Sequence, residues 1–364
     1  MKDLIILLMT FLFTQCQKNP SVHSQAYLDT LATDFFHRET GWIASDGAIS
    51  IPLSTGKVLW LFGDSHVNDY DTATKTTPCL FQVRNCAMLQ PKGDWNWQNT
   101  QTFIGTGPGF KNLFKNNPDD NYWFWPGSGF QLRDTVYVFL GNLKRTGNGA
   151  WAWGSGGPDM WEKMTMPDMK VVAYTPLQNF DSISFGAGFV KNESSGYIYA
   201  YGAKLDFISG ELYVARIQMS HPNAPWQFWD GKTWNNDVTK AAGIATGESS
   251  SISVSKVGNQ FLMLSSEFSV DCDMGKRIFA ATSASPTGPF TANKPIYTIT
   301  DTLDGHYPFF YSVTAHPEYI KNNELLVTYC INGYGKCVNI CINGRSDPNY
   351  YRPRGIRIPL SILP

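Results

Sequence analysis

The sequence DGAISIPLSTGKVLWLFGD, residues Asp46–Asp64, contains two alternating apolar runs separated by Thr55-Gly56. Apolar residues at every second position are typical of half-buried β-strands, and a Thr-Gly pair between two such runs indicates a hairpin turn. The turn lies at the middle of the stretch, so the two strands fold back and bring Asp46 and Asp64 to the same end. The stretch therefore predicts a strand pair with two neighbouring carboxylates.

Four later segments follow the same plan, in which small or polar residues lead into an alternating strand, a polar turn and a more apolar strand. The segments are Gly127–Asn142, Gly186–Ala203, Ser249–Glu267 and Phe309–Asn332. Their turns are predicted at Arg133-Asp134, Ser195-Gly196, Gly258-Asn259 and Asn322-Asn323. A third strand is expected after each of the five hairpins, within residues 79–89, 169–177, 210–219, 276–290 and 354–363.

Five copies of an antiparallel unit with three or four strands predict an all-β fold, the five-bladed β-propeller. A β-sandwich is the alternative, but it would not repeat one strand order five times. Residues from about 25 to 42 are expected to close the last blade onto the first. The first strand of each blade lines a central channel, so we expect the polar residues that open these strands to point into one cavity: Asp46, Ser128, Glu248 and Tyr311.

The N-terminus has a different character from the rest of the chain. A lysine and an apolar run from Leu4 to Phe13 precede Cys16, and the run is too short to span a membrane. A cysteine at this place resembles the lipobox of bacterial lipoproteins, so residues 1–16 are predicted to be a lipoprotein signal peptide with Cys16 as the lipidated residue. A plainly cleaved secretory signal is the alternative. We expect a lipoprotein of the bacterial cell envelope, with residues 17–34 as a linker and 35–364 as the propeller domain.

Composition restricts the partners of the protein. Hydrophobic residues make up 43% and aromatic residues 14% of the chain, which is enough to bury a sizeable core. The formal net charge of −1 provides no basic field that would attract nucleic acid. We therefore expect a monomer that binds no nucleic acid.

Export would make disulfides permissible for the cysteines of the propeller domain. A Cys79–Cys86 pair and a pair within Cys330, Cys337 and Cys341 could each staple a hairpin or loop, and the pairing is left open. The segment around these last three could instead hold a metal, but it has no CxxC spacing and no nearby histidine, so metal binding is the weaker interpretation. No cofactor is predicted, and a single Ca²⁺ held by backbone oxygens is left open.

The strongest catalytic candidates are the two acids of the first hairpin. One carboxylate of such a pair can stay protonated as a general acid while the other is ionised as a base or nucleophile. The alternative for Asp64 is a turn cap at the exit of its strand. Glu248 opens the first strand of the fourth blade and is predicted to bind substrate or to modulate the pKa of the pair, with an exposed loop glutamate as the alternative.

Two histidines and a tyrosine are predicted to line the pocket. His66 follows Asp64 closely and is expected at the pocket rim. His316 lies in a strand of the fifth blade headed by Tyr311, and both residues are expected to contact substrate. For each histidine the alternative is a structural role, which is common for a lone histidine.

Aromatic residues point to the class of ligand. Trp125 lies in the run Asp119–Phe130, just before the first strand of the second blade, and tryptophans at a cleft mouth stack on the apolar faces of sugar rings. The segment Trp151–Trp161, rich in Gly and Trp, is expected to form a pocket wall. It is not a phosphate loop, because it has no strand-to-helix context and no following lysine, and the chain has no GxSxG nucleophile elbow.

Three stretches carry a family resemblance: TDFFHRETGWIASDGAISIPLSTGKVLWLFGDSHV, YWFWPGSGFQLRDTVYVF and FAATSASPTGPF. They resemble five-bladed propellers of the glycoside hydrolase type, above all a bacterial group long labelled a domain of unknown function that includes endo-D-arabinanases. The resemblance implies that Asp46 and Asp64 are the catalytic pair. The chain is similar, more distantly, to arabinanase and xylosidase propellers with three carboxylates, which implies a role for Glu248, although Ser128 stands where the second-blade acid is expected.

The resemblance and the residues together predict a glycoside hydrolase that acts on a polysaccharide or oligosaccharide, with an arabinan-like substrate and possible internal cleavage. The first alternative is a non-catalytic propeller lipoprotein that captures glycans, and a structural scaffold is the second. The acids of a glycosidase lie about 5–5.5 Å apart in retaining enzymes and about 6.5–9.5 Å apart in inverting ones. A pair that is much further apart, or closed off by side chains, would favour binding alone.

Overall fold

The computed structural model describes residues 23–149, 152–206, 208–333 and 340–364. Within these ranges, five antiparallel sheets follow one another along the chain, each with at least four strands. The predicted five-bladed β-propeller is confirmed. Over the same ranges, no helix has the length and apolar character needed to cross a membrane. The predicted signal peptide, Cys16 and Cys337 lie outside the described residues.

The first eight strands form the first blade and the segments beside it. They are β1 (Tyr27–Leu28), β2 (Trp42–Ser45), β3 (Ile49–Pro52), β4 (Lys57–Phe62), β5 (Ser65–Val67), β6 (Thr77–Pro78), β7 (Cys86–Pro91) and β8 (Gln101–Phe103). The order in the blade is β3-β4-β7-β8, and β2 pairs with β5. A short helix, α1 (Thr30–Phe35), lies between β1 and β2 and is capped by the side chain of Asp29.

The second and third blades contain the next eleven strands. They are β9 (Tyr122–Leu132), β10 (Thr135–Arg145), β11 (Trp153–Ser155), β12 (Met160–Thr165), β13 (Lys170–Pro176), β14 (Ser184–Asn192), β15 (Tyr197–Asp206), β16 (Ser209–Gln218), β17 (Gln227–Trp229), β18 (Trp234–Asn235) and β19 (Ala245–Gly247). The third strand of the second blade is β12. The prediction for residues 169–177 is therefore wrong in strand order, because that segment forms the fourth strand, β13.

The fourth and fifth blades complete the ring. Their strands are β20 (Ile252–Val257), β21 (Gln260–Ser266), β22 (Arg277–Ser283), β23 (Lys294–Thr298), β24 (Phe309–Lys321), β25 (Glu324–Asn332), β26 (Arg345–Ser346) and β27 (Pro353–Pro359). Short 3₁₀ helices occur at Trp97–Asn99, Val238–Lys240, Pro348–Tyr351 and Leu360–Ile362. The inner hairpins turn where the sequence predicts, and Arg133, Asn322 and Asn323 adopt the left-handed conformation that tight turns require.

An N-terminal strand closes the ring. Tyr27 pairs with Arg357 and Leu28 with Ile356, so β1 is the outermost strand of the fifth blade, in the order β1-β27-β25-β24. An ion pair between Arg357 Nε and Asp29 Oδ2, 2.6 Å apart, holds the connection. As expected for residues from about 25 to 42, this segment closes the last blade, and β1 does so from within the range 17–34 that was assigned to a linker.

The inner strands approach one another so closely that glycine is required. A Cβ atom on Gly188 of β14 would lie 2.0 Å from the carbonyl oxygen of Val254 in β20. A Cβ atom on Gly127 of β9 would lie 2.9 Å from Cα of Gly186. The apolar cores lie between successive blades, as between the second and third, where Trp161 packs against Phe189.

The disulfides differ from the prediction. Cys79 pairs with Cys341 across 262 residues, so the predicted pair Cys79–Cys86 is wrong. Cys86 is a free, buried thiol that donates to the Ser65 hydroxyl. Cys330 is also free and Cys341 is bonded to Cys79, so the expected pair within Cys330, Cys337 and Cys341 is wrong as well. Cys272 is disulfide-bonded. The expected pairs joined cysteines that are close in the sequence. Closure of the propeller instead brings cysteines of the first and last blades together.

The Cys79→Ser/Cys341→Ser double variant tests this connection. Beside the disulfide, β6 pairs with β26, so the covalent bond joins a loop of the first blade to one of the fifth. Because a cross-link over a long loop restricts the unfolded chain, we expect the variant to lose about 2–4 kcal/mol of unfolding free energy. Denaturant unfolding measures the loss, and dithiothreitol should destabilise the wild type at least as much, because it also reduces the disulfide of Cys272. Equal stability of variant and wild type would contradict the account.

A buried carboxyl group lies in the second blade, away from the first hairpin. Glu162 in β12 is fully buried, and neither of its carboxyl oxygens has a hydrogen-bond partner among the described residues. The strand register places it opposite Val138 and Tyr174. Burial raises the pKa of Glu162 to about 9, so its carboxyl group is neutral at pH 7.

The Glu162→Gln variant removes this titration. The unfolded chain loses the Glu162 proton near the ordinary pKa of 4.5, whereas the folded protein keeps it until about 9. The unfolding free energy of the wild type therefore falls as pH rises through this window, by up to about 1.4 kcal/mol per pH unit. We expect the stability of the variant relative to wild type to increase with pH across the window in denaturant unfolding.

The exposed Glu193 provides the matched control for this experiment. A Glu193→Gln variant makes the same substitution at the surface, so it shows what the change of side chain does without the loss of a buried carboxyl group. A stability difference between Glu162→Gln and wild type that stays constant with pH would contradict the assignment of a neutral, buried Glu162.

Candidate active site

The first hairpin places its two acids opposite each other. Ile49 pairs with Leu61 on one side and Ser45 with Ser65 on the other, and both pairs belong to one antiparallel register. The strand pairing is interrupted between these two pairs of residues, and Asp46 and Asp64 face each other in the interruption. The interruption arises because Gly47 and Ala48 have positive φ angles of 98° and 50°, which end β2 before β3 begins. The backbone stays connected, since Gly63 N donates to Asp46 O at 3.1 Å.

Asp46 is held by two tyrosines. Tyr311 of β24 donates its hydroxyl to Asp46 Oδ2 at 2.8 Å, and Tyr351 provides a second side-chain hydrogen bond. Asn332 Nδ2 donates in turn to the Tyr311 hydroxyl at 3.1 Å. A Cβ atom on Gly63 would lie 2.3 Å from Asp46 Oδ1, so only glycine leaves room for this carboxyl group. Asp46 is thus fixed by residues of the fifth blade and the C-terminal segment.

Asp64 is held by a cation and an indole. Arg84 Nη1 lies 3.0 Å from Asp64 Oδ2, and Trp125 Nε1 donates to Asp64 Oδ1 at 3.1 Å. The residue is 8% exposed. Burial and the neighbouring charge of Asp46 raise the pKa of Asp64 to about 7, and Arg84 limits the rise. Burial also raises the pKa of Asp46.

The two carboxyl groups lie in different environments. Two buried acids that lie close together do not both ionise at neutral pH, because each charge raises the pKa of the other. The guanidinium of Arg84 favours negative charge on Asp64, whereas Asp46 has only neutral tyrosine donors. The pair therefore shares one negative charge at neutral pH, with a guanidinium on the Asp64 side and tyrosine hydroxyls on the Asp46 side.

Aromatic rings form a wall beside Asp64. The ring of Trp125 lies 6.1 Å from that of Trp123 and 4.9 Å from that of Trp153, both in edge-to-face geometry. Trp153 is 38% exposed and comes from the Gly- and Trp-rich segment that was expected to form a pocket wall. The guanidinium of Arg84 lies 4.2 Å from the Trp123 ring centre, so the cation bound to Asp64 also contacts the wall. One flank of the acid pair is therefore both aromatic and partly open.

The predicted histidines do not line a pocket. His316 is fully buried, with Nδ1 2.6 Å from the Ser50 hydroxyl and Nε2 2.8 Å from the Thr328 hydroxyl, and desolvation lowers its pKa to about 3. His66, expected at the rim, is 1% exposed and packs edge-to-face on Tyr351 with the ring centres 6.1 Å apart. Desolvation lowers the pKa of His66 to about 4. Both side chains point into the protein, so neither is positioned to contact substrate.

Glu248 and Ser128 also lie apart from the acid pair. Glu248 accepts a hydrogen bond from Asn293 Nδ2 at 3.0 Å, on the fourth blade. Ser128 lines an axial cavity of about 630 Å³ formed by the inner strands, which includes Ile49 but neither acid of the first hairpin. The expectation of one cavity shared by Asp46, Ser128, Glu248 and Tyr311 is therefore wrong in part, because only Asp46 and Tyr311 meet.

Arg84 and Tyr351 were not recognised from the sequence. Arg84 could have been found, because Phe62 pairs with Cys86 and the same register places Arg84 beside Asp64. Tyr351 ends a 3₁₀ helix near the C-terminus and has no local signal that links it to Asp46. No group of three or more His, Cys, Asp or Glu side chains with the arrangement of a metal site occurs in the described parts of the chain.

Comparison with known proteins gives one family. The family described as "Domain of unknown function (DUF5005)" matches residues 29–359, which run from α1 to β27 and leave out β1. No curated protein matches the sequence.

Solved structures are similar in fold. A candidate hydrolase from Bacteroides ovatus ATCC 8483 has a TM-score of 0.74 and 20% sequence identity, covering 92% of this chain and 90% of that chain. The α-L-arabinofuranosidase from Lactobacillus brevis has a TM-score of 0.50 and 10% identity, covering 92% of each chain. The GH43 protein BlXynB from Bacillus licheniformis has a TM-score of 0.46 and 12% identity over 85% of this chain, which spans 52% of that protein's length.

The Arg84→Gln variant tests the electrostatics of the pair. Loss of the cation removes the interaction that favours ionised Asp64, so we expect the pKa of Asp64 to rise above its value of about 7. Titration of protein labelled with ¹³C at the aspartate carboxyl carbons measures the shift. Arg277→Gln is the matched control, because Arg277 pairs with Glu267 on the fourth blade. The same pKa in the Arg84→Gln protein and the wild type would contradict the assignment.

Proposed function

The chain belongs to the DUF5005 family, and we propose that it is a glycoside hydrolase in which Asp46 and Asp64 carry out the reaction. The observation that carries the proposal is the asymmetric pairing of the two acids, one beside tyrosine hydroxyls and the other beside a guanidinium. Hydrolysis of a glycosidic bond needs such a division, because one carboxyl group must donate a proton while the other acts as an anion.

In the proposed reaction, Asp46 protonates the oxygen of the leaving sugar. The Asp64 carboxylate acts on the anomeric carbon, either directly as a nucleophile or through a water molecule from which it removes a proton. The separation of the acids in the substrate complex decides between these two routes. Arg84 and Trp125 keep Asp64 ionised and oriented.

The aromatic wall supports a carbohydrate substrate. Trp125 and the partly exposed Trp153 offer ring faces on which sugar rings can stack. We propose an arabinan-like polysaccharide that is cleaved within the chain. The resemblance of the first hairpin to a group with endo-D-arabinanases supports this substrate, and the fold shared with the Lactobacillus brevis α-L-arabinofuranosidase agrees with it.

The proposed setting is the bacterial cell envelope. The apolar run before Cys16 supports export and a lipid anchor on that cysteine. The net charge of −1 is consistent with a glycan partner and with no nucleic acid partner, and we propose that the protein acts as a monomer without a cofactor.

One observation favours a second candidate, a propeller that binds glycans without cleaving them. Asp64 is only 8% exposed, and both of its oxygens already have protein donors. An acid enclosed in this way has less access to a sugar than an open carboxylate would. The glycan-capturing lipoprotein therefore stands as the alternative to the hydrolase.

Single substitutions of the acids distinguish the two functions. The protein is incubated with plant, fungal and mycobacterial arabinans and galactans, and released sugars are quantified. We expect Asp46→Asn and Asp64→Asn each to lower the rate by about 10²–10⁴-fold, the usual contribution of a general acid or base. Asp120→Asn is the control, because Asp120 is an exposed carboxylate.

The outcomes separate hydrolase from binding protein. If both Asn variants kept the wild-type rate, the catalytic assignment would be dropped. If the wild type bound a glycan and released no product, and the Asn variants bound it equally well, the binding propeller would be supported instead.

A further inference from the structure

We propose that the face of the propeller opposite the acid pair docks on a membrane of anionic phospholipids. It is called here the turn face, because it consists of the turns of the five inner hairpins and the loops beside them: Thr55-Gly56, Arg133-Asp134, Ser195-Gly196, Gly258-Asn259 and Asn322-Asn323. One of the arguments rests on the lipid anchor proposed above. The hydrolase activity enters none of them.

Contacts between neighbouring blades place these turns on one face. Ser54 N donates to Gln131 Oε1 at 2.8 Å, and Lys191 Nζ donates to Gln131 O at 3.2 Å, so the turns of the first three blades meet. The acid pair lies at the other end of the inner strands. The residues from Asp46 to Thr55 include β3, and a strand rises about 3.3 Å per residue, so roughly 20 Å separates the acids from the turn face.

Exposed basic residues are distributed around the whole turn face. Each inner hairpin contributes one at its turn, and two more lie in adjoining loops. The loops belong to the same face, because Lys92 N donates to Gly56 O at 3.1 Å and Met166 N donates to Asp134 O at 2.8 Å. The exposed basic residues are Lys57, Lys92, Arg133, Lys170, Lys191, Lys256 and Lys321.

The acidic residues of the turn face are fewer or less accessible. Those that are exposed within the described ranges are Asp134, Asp168 and Glu193. Asp94 is half-buried, and the side chains of Glu318 and Glu324 are only 6% and 8% exposed. The chain as a whole has a net charge of −1, so acidic residues are in excess away from this face. The propeller is therefore electrically polar along its axis, with the positive end opposite the acid pair.

The N-terminal segment enters the propeller at the turn face. Glu324 directly follows the turn of the fifth hairpin, and His23 Nδ1 lies 2.7 Å from its Oε1 atom. Tyr27 of β1 donates its hydroxyl to Oε2 of the same carboxylate at 2.7 Å. The proposed lipidation site, Cys16, precedes His23 by seven residues, which reach at most about 25 Å. A lipid on Cys16 would therefore hold the turn face, and not the acid pair, next to the bilayer.

An anionic membrane fits both the charge and the position of the anchor. Lysine and arginine side chains near an anionic bilayer are attracted to its surface, and stable attachment commonly combines an acyl chain with a basic surface. In this orientation the acid pair and the aromatic wall beside it point away from the bilayer. A glycan could then reach them without crossing the lipid surface.

Sedimentation with lipid vesicles tests the proposal. The chain from residue 17 onward, which carries no lipid and keeps all described residues, is mixed with vesicles of phosphatidylglycerol and phosphatidylcholine or of phosphatidylcholine alone. We expect binding to the anionic vesicles to be at least tenfold stronger. It should be lost in about 0.5 M NaCl, because salt screens interactions between exposed charges.

Charge variants identify the face that binds. The Lys57→Gln/Lys256→Gln/Lys321→Gln variant should bind anionic vesicles about a hundredfold more weakly, since each basic residue near the surface contributes about fivefold. The matched control is Lys75→Gln/Lys111→Gln/Lys144→Gln, which makes the same change in net charge with exposed lysines at the end that carries the acid pair. The control should bind nearly as tightly as the wild type.

A polarity-sensitive dye reports the orientation directly. Attached to Ser195→Cys in the turn of the third blade, the dye should shift to shorter wavelength when vesicles are added. Attached to Asn116→Cys in the exposed loop before β9, it should not shift. Polygalacturonate, an acidic polysaccharide, replaces the vesicles in a parallel experiment, because it is a second source of negative charge.

Three results would overturn the proposal. They are equal binding to anionic and neutral vesicles, equal losses in the two triple variants, and binding to polygalacturonate without binding to anionic vesicles. None of these measurements involves cleavage of a glycan, so their failure would leave the hydrolase proposal unaffected.

Discussion

Burial of two carboxyl groups beside a single guanidinium is the constraint on which the site depends. A buried pair of acids with one neighbouring cation carries one negative charge at neutral pH, because a second charge would be repelled by the first and poorly solvated. We propose that Arg84, which lies 3.0 Å from Asp64, directs this charge onto Asp64. In this proposal Asp46 keeps the proton, and the hydroxyl of Tyr311 is one of its partners.

The propeller supplies these partners from distant parts of the chain. Trp125 comes from the second blade, Tyr311 from the fifth and Tyr351 from the segment before the last strand. They meet at the first hairpin only because the ring is closed. Closure in turn depends on β1, which adds the N-terminal residues to the fifth blade, and on the disulfide between Cys79 and Cys341. The geometry of the acid pair is therefore a property of the whole ring.

Local patterns were enough to predict the ring. Period-2 runs around Thr55-Gly56 and its four later counterparts give the hairpins, because turn residues and alternation are properties of neighbouring residues. The juxtaposition of Asp46 and Asp64 was predictable for the same reason, since both belong to one hairpin. Arg84 could have been added by extending the register of the next strand pair.

Contacts between distant segments could not be predicted in this way. The Cys79–Cys341 pairing depends on how the first and last blades meet. Cys86, which is closer to Cys79 in the sequence, suggested a different pair. The side of β24 on which the His316 side chain lies could not be found by counting alternate residues from Tyr311. The reason is that the register of β24 is irregular between Tyr311 and Thr314. His66 packs against Tyr351, a residue far away in the sequence, so its burial could not be read from neighbouring residues.

The central claim is that Asp46 donates the proton and Asp64 acts on the anomeric carbon. A crystal structure of the Asp46→Asn variant with an uncleaved oligosaccharide tests it most directly. The account predicts that the substituted amide at position 46 lies within hydrogen-bond distance of a glycosidic oxygen. It also predicts that Asp64 faces the adjoining anomeric carbon and that a sugar ring stacks on Trp125 or Trp153. An oligosaccharide bound with its glycosidic oxygens away from both acid positions would contradict the account.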